Sequence, residues 1–102
     1  MDIVKSINNV PIRLTIERWI HIIENHDDLA GYYDEILGVI EFPDYIIQGY
    51  NEAMIALRIM KTGKYLAVVY KEITENDGFV ITAYLTSKIK IEKEVILWES
   101  QS

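Results

Sequence analysis

The chain has 102 residues, a formal net charge of −6 and no cysteine, and half of its residues are hydrophobic. This length fits one domain with a single core, and the absence of cysteine excludes a disulfide framework and a thiolate metal site. No uncharged stretch reaches the roughly 18 residues of a membrane span, and the first residues, MDIVKSINNV, do not resemble a secretory signal. The sequence therefore predicts one soluble, cytoplasmic domain over residues 1–102, without membrane contact.

The first half of the chain is predicted to be mainly helical. Two short runs, residues 3–7 and 11–14, have the composition of extended segments. Thr15 is a favourable N-cap for a helix that ends near His26, because apolar side chains recur at helical spacing after it. A second helix is expected to end before Pro43, since proline disfavours helical geometry in the residue that precedes it.

Strand patterns begin after Pro43 and continue to the C-terminus. The predicted runs cover residues 45–50, 53–61, 64–73, 79–87 and 95–98. Thr62-Gly63 is predicted to form a two-residue hairpin turn between the second and third runs. Helices followed by a meander are typical of α+β proteins, so we expect two N-terminal helices packed on one face of a curved antiparallel sheet of about four to five strands.

Apolar alternation also predicts the register of the meander, because a slip of one residue turns every side chain to the other face. A tight two-residue turn places Leu57 opposite Val68, and matching of apolar residues places Val68 opposite Ala83. By parity, the opposite face carries a shallow trough of two cations and two hydroxyls, namely Arg58, Lys71, Thr82 and Tyr84. Such a set suits a phosphate, although the same residue types are also common on a solvated sheet face.

The two histidines, His21 and His26, fall in the first helix and at its exit. Imidazole is well matched to proton transfer near neutral pH, so both are acid/base candidates. A helix turns about 100° per residue, which places the two rings on different faces and makes them a poor metal pair. The alternative explanations are a salt-bridged solvent face around His21 and a favourable helix dipole at His26.

Four short motifs, RLTIERWIHIIENHDDL, VIEFPD, LAVVYKE and DGFVITAYLT, occur in this order between Arg13 and Thr86. This order resembles small phage and bacterial members of the barnase–EndoU–colicin–RelE superfamily, which are toxin-like ribonucleases. The resemblance implies helices followed by a curved antiparallel sheet with the site on its concave side. It also implies metal-independent cleavage of RNA, in which a ribose 2′-hydroxyl attacks the adjacent phosphate.

The resemblance further implies roles for the residues singled out above. His21 and His26 would exchange protons, Thr82 and Tyr84 would donate hydrogen bonds or position the sugar, and Arg58 and Lys71 would bind the phosphate. No cofactor and no metal are expected. The expected partner is an RNA substrate, and an antitoxin or inhibitor protein and a second copy of the chain are further candidates.

The charge distribution leaves a second class of function open. Residues 24–52 contain no Lys or Arg and eight acidic residues, namely Glu24, Asp27, Asp28, Asp34, Glu35, Glu41, Asp44 and Glu52. An acidic surface argues against non-specific nucleic-acid binding and favours a non-catalytic interaction module for a basic partner. The apolar run 95–98 favours a third alternative, a homodimer formed through strand edges.

Overall fold

A computed structural model describes residues 1–101, in which two helices pack on one face of a seven-stranded sheet. The helices are α1 (Ile16–Asn25) and α2 (Tyr33–Glu41), and short 3-10 turns cover Asp27–Leu29 and Ile91–Lys93. The strands are β1 (Asp2–Lys5), β2 (Pro11–Leu14), β3 (Tyr45–Gln48), β4 (Met54–Ile59), β5 (Tyr65–Thr74), β6 (Asp77–Thr86) and β7 (Ile96–Glu99). Among residues 1–101, neither helix has the length and apolar content that crossing a membrane requires.

The strand order across the sheet is β1-β2-β6-β5-β4-β3-β7, and every neighbouring pair is antiparallel except β2 with β6. The predicted sheet of about four to five strands behind two N-terminal helices is therefore wrong. There are seven strands, and two of them precede the helices. Both ends of the chain fold back onto the meander, where strands of only four residues gain their stability from pairing and not from a long apolar pattern of their own.

The parallel contact between β2 and β6 depends on a glycine. Ile12 lies opposite Gly78 in this pairing. A Cβ atom at Gly78 would stand 2.5 Å from Cδ1 of Ile12 and 2.6 Å from the carbonyl oxygen of Lys71. Only glycine allows so close an approach, so this position fixes where the N-terminal strands join the sheet.

Local sequence signals explain both helices. The Oγ1 atom of Thr15 accepts the N–H of Arg18 at 3.1 Å and caps α1, as its residue type predicts. The second helix buries four side chains, Ile36, Leu37, Val39 and Ile40. It ends at Glu41, with Phe42 as its C-cap immediately before Pro43. These four side chains belong to the core between the helical layer and the sheet.

The hairpin between β4 and β5 closes with a three-residue loop, residues 61–63. Met60 donates its N–H to the carbonyl of Lys64 at 2.8 Å, and Gly63 has a positive φ of 85°. A three-residue hairpin loop with a left-handed residue at its third position is a common alternative to the two-residue turn. The extra loop residue shifts the register by one relative to the prediction.

This shift reverses the faces of β4. Leu57 lies opposite Ala67, and Arg58 lies opposite Leu66 on the helix-covered face. We call the other side of the sheet the helix-free face. The predicted trough is therefore wrong, because Arg58 and Tyr84 lie on opposite faces of the sheet. Leu57 is fully buried in a small second core on the helix-free face, beneath the segment that follows β6.

The pairing of β5 with β6 matches the prediction at its centre, where Val68 lies opposite Ala83. A bulge then inserts Ile81, so that Val80 and Ala83 both reach the core beneath the helices although they are three residues apart. Tyr84, one residue beyond Ala83, consequently lies on the helix-free face with Ala67.

The guanidinium of Arg58 binds the C-terminal end of α2. It donates to the carbonyl of Gly38 at 2.8 Å and to the carbonyl of Phe42 at 3.2 Å, and it pairs with Glu35 at 3.4 Å. The last carbonyls of a helix have no partner within the helix. The carbonyl of Gly38 already accepts the N–H of Phe42 at 2.8 Å, so Arg58 adds a second hydrogen bond there and supplies one to the carbonyl of Phe42, beyond the last turn of α2.

We expect Arg58→Ala to lower the free energy of unfolding by about 1.5–3 kcal/mol, the range for hydrogen bonds made by a charged group. Lys61→Ala is the matched control, since Lys61 is exposed and forms no ion pair among residues 1–101. Its effect should stay within about 0.5 kcal/mol. Urea unfolding followed by circular dichroism measures both, and equal stabilities of the two variants would contradict the role given to Arg58.

Candidate functional site

His26 and Tyr84 are distant in sequence but close in space. Their ring centroids are 6.1 Å apart and the ring planes are inclined by 38°. His26 ends α1, where its N–H donates to the carbonyl of Ile22 at 2.8 Å, and its ring is half-buried. Because α1 and the 3-10 turn that follows it pack against β6, the helix exit is held beside the strand that carries Tyr84.

The two rings border a surface depression of about 310 Å³, which we call the His26–Tyr84 hollow. Its polar lining comes from the β4–β5 hairpin and the end of β6, namely Lys64, Thr86, Ser87 and Lys88. The N–H of Lys88 donates to Oγ1 of Thr86 at 3.1 Å, which holds the turn after β6. Neither lysine forms an ion pair within residues 1–101, so both charges are available to an anion.

The hydroxyl of Tyr84 is held in its protonated form. Burial of the ring, and after it the negative charge of Glu94, raise the pKa of Tyr84 above the ordinary value of 10.0. A neutral phenol at physiological pH is a hydrogen-bond donor and carries a transferable proton. The hollow therefore combines one imidazole, one protonated phenol and two cations.

The structure does not bring His21 or Arg58 to this hollow. His21 is exposed on α1 and borders a separate depression with Thr15, Glu17 and Arg18. Arg58 lies on the helix-covered face and is bonded to the end of α2. Of the six candidate residues, the structure brings His26 and Tyr84 to this hollow.

Lys71 and Thr82 lie on the helix-free face, as predicted. Thr82 is opposite Val69 and Lys71 is opposite Phe79. Lys71 borders a groove of about 560 Å³ that also reaches Tyr84, and we call it the open-face groove. Tyr84 therefore lines both depressions, the His26–Tyr84 hollow and the open-face groove.

Sequence patterns did not indicate four of the residues that line the hollow, namely Lys64, Thr86, Ser87 and Lys88. The signal for the last three was present, because they lie two to four residues after Tyr84 in the same strand and turn. Lys64 could not be placed without the correct hairpin loop. The described residues contain no group of three or more His, Cys, Asp or Glu side chains arranged to hold a metal ion.

Comparison of the chain with known protein families, with curated proteins and with solved structures yields no match. The geometry of the His26–Tyr84 hollow is therefore the basis for the proposals that follow.

We expect Glu94→Gln to lower the pKa of Tyr84 without restoring its ordinary value, because burial is the larger cause of the shift. Glu92→Gln is the matched control, since Glu92 does not contribute to the shift of Tyr84. Titration of the tyrosine Cζ resonances by NMR measures both variants. A fall to the ordinary value in Glu94→Gln, or an equal change in Glu92→Gln, would contradict this electrostatic description.

Proposed function

We propose that this protein is a metal-independent endoribonuclease whose site is the His26–Tyr84 hollow. The observation that carries the proposal is that the ring centroids of an imidazole, His26, and a protonated phenol, Tyr84, are 6.1 Å apart. Two lysines that form no ion pair among the described residues line the same hollow. Cleavage by a 2′-hydroxyl needs a base, an acid and positive charge around phosphorus, and this lining contains each of them.

In the proposed reaction, His26 accepts the proton of the ribose 2′-hydroxyl as the O2′–P bond forms. Tyr84 donates its proton to the 5′-oxygen as the P–O5′ bond breaks, which leaves a 2′,3′-cyclic phosphate and a free 5′-hydroxyl. The ring centroids are 6.1 Å apart and both rings border the same hollow, so both side chains can contact one phosphate group bound in it. Lys64 and Lys88 neutralise the non-bridging oxygens, whose charge increases in the transition state.

The net charge of −6 limits how this site meets RNA. The hollow offers two lysines, whereas non-specific binding normally uses a broad basic surface. We therefore propose a short or partner-delivered RNA as substrate, in the cytoplasm, with activity that declines as salt increases. An antitoxin or inhibitor protein is a further partner that this function implies.

We expect the purified protein to cleave RNA in the presence of a metal chelator, and His26→Gln to lower the rate about 100- to 10,000-fold, as loss of a general base does. His21→Gln is the matched control, because His21 lies on the same helix but borders a different depression. Tyr84→Phe should also lose activity while it keeps the fold. Cleavage of a fluorescent oligonucleotide under single-turnover conditions measures all three variants.

Two results of that assay would overturn the proposal. One is a requirement for added divalent cation, and the other is full activity of the His26→Gln variant. An equal loss in His21→Gln would show that the helix as a whole, and not the hollow, supports activity.

A second candidate function is a binding module for a basic protein. Seven of the eight acidic side chains between residues 24 and 52 are exposed, and only Asp44 is half-buried. Two of them, Asp27 and Asp28, directly follow His26 in the chain. A homodimer through the edge strand β7 is a further alternative, since Ile96 and Leu97 are 40% and 51% exposed there. Absence of cleavage combined with binding of a basic protein would favour the module.

A further inference from the structure

The open-face groove lies beside the His26–Tyr84 hollow and differs from it in chemistry. Its walls come from β4, β5 and β6 on the helix-free face and include Ile55, Val69, Lys71, Phe79, Ile81 and Tyr84. The lining is mainly aliphatic and aromatic, and its volume of about 560 Å³ is within the usual range for small-molecule sites. The bulge in β6 contributes to this surface, because it adds Ile81 to the helix-free face.

Lys71 is the single charged side chain among the residues that line the groove. It forms no ion pair within residues 1–101. An apolar groove with one available cation is complementary to a ligand that has a flat apolar part and a nearby negative charge. A nucleobase with its phosphate has this combination.

An exposed tyrosine stands at the rim of the groove. Tyr50 is 92% exposed and begins the turn between β3 and β4, in which Ala53 donates its N–H to the carbonyl of Tyr50 at 3.0 Å. The two central residues, Asn51 and Glu52, have positive φ angles of 52° and 66°. A left-handed backbone is unfavourable for glutamate, where glycine would be relaxed. The turn therefore combines a strained backbone with an exposed aromatic ring at the rim of the groove.

We propose that the open-face groove binds one base of an RNA strand, with the ring of Tyr50 stacked against it. This inference rests on the proposed function, because the phosphate attached to that nucleotide would occupy the His26–Tyr84 hollow. Tyr84 lines both depressions, so the groove and the hollow adjoin at this side chain. Lys71 then meets a second phosphate on the groove side.

The proposal narrows the substrate class to single-stranded RNA. A base that is stacked in a duplex cannot enter a groove on the face of a sheet, whereas an unpaired base can stack on aromatic side chains. The affinity contributed by the groove should depend on a base being present and only weakly on which base it is, because every base has a flat apolar face.

The experiment uses a short 2′-O-methyl RNA, which cannot be cleaved, and the same strand with abasic nucleotides. Binding to the full chain is measured by fluorescence anisotropy in the presence of a chelator. We expect the abasic strand to bind at least about fivefold more weakly, and Tyr50→Ala to lose a similar factor for the intact strand only, the size of one stacking contact. Tyr50→Phe should bind like the wild type because the ring remains.

Phe42→Ala is the matched control, since Phe42 is another exposed aromatic residue, 70% exposed, and does not line the groove. It should bind both strands as the wild type does. Equal binding of the intact and abasic strands, or equal affinity of Tyr50→Ala and the wild type, would overturn the inference, as would a failure of the wild type to bind either strand.

The outcomes separate this inference from the nuclease proposal. His26-dependent cleavage without any effect of Tyr50→Ala on binding would leave the nuclease proposal standing and reject the base site. Base-dependent binding that Tyr50→Ala weakens, without cleavage by the wild type, would support the base site and reject the proposed catalysis.

Discussion

Gly63 closes the β4–β5 hairpin with a left-handed backbone, and the register that it sets decides which face each β4 side chain occupies. With this three-residue loop, Arg58 reaches the end of α2 and supplies hydrogen bonds to the Gly38 and Phe42 carbonyls. Leu57 turns to the other face and is buried in the second core. A loop shorter by one residue would place the guanidinium of Arg58 in the second core in place of Leu57. The packing of both cores therefore depends on the three-residue loop.

The bulge in β6 is the second irregularity on which the site depends. It lets Val80 and Ala83 both contribute to the core beneath the helices, while Ile81 and Tyr84 remain on the helix-free face. The same strand is covered on one edge by the exit of α1, which brings His26 to within 6.1 Å of Tyr84, measured between ring centroids. Burial there raises the pKa of the phenol, so the packing of β6 keeps the Tyr84 hydroxyl a hydrogen-bond donor.

Local signals were sufficient to predict the helices. The capping residue Thr15 and the stop at Pro43 act within one turn, and both occur where the sequence places them. The alternation of β5 and β6 also predicted correctly that Thr82 and Tyr84 share the helix-free face.

The face of β4 was not predictable in the same way, because its alternation is ambiguous. Apolar residues occupy both parities of this strand, Ala56 on one and Leu57 on the other, and each is fully buried. Only the loop length distinguishes the two registers, and Thr62-Gly63 fits a two-residue turn as well as the end of a three-residue loop. The pairing of the short strands β1, β2 and β7 depends on distant partners, which alternation within four residues does not reveal.

The geometry of the candidate site was only partly predictable from the sequence. His26, Tyr84 and Lys71 line the two depressions, while His21, Arg58 and Thr82 do not. The difference arises because the face on which a side chain lies depends on strand register and on the direction in which the chain leaves a helix. Both are set by tertiary packing. Lys64 lines the hollow for the same reason, since its position depends on the hairpin loop that it directly follows.

The most direct test of this account is a residue-by-residue map of where a phosphodiester binds. We would record amide chemical-shift changes by NMR while a 2′-O-methyl dinucleotide is added at constant pH and low salt. The account predicts the largest changes at His26, Lys64 and residues 84–88, which line the His26–Tyr84 hollow. Changes concentrated on the acidic surface of α2 or at the edge strand β7, or the absence of any localised change, would contradict it.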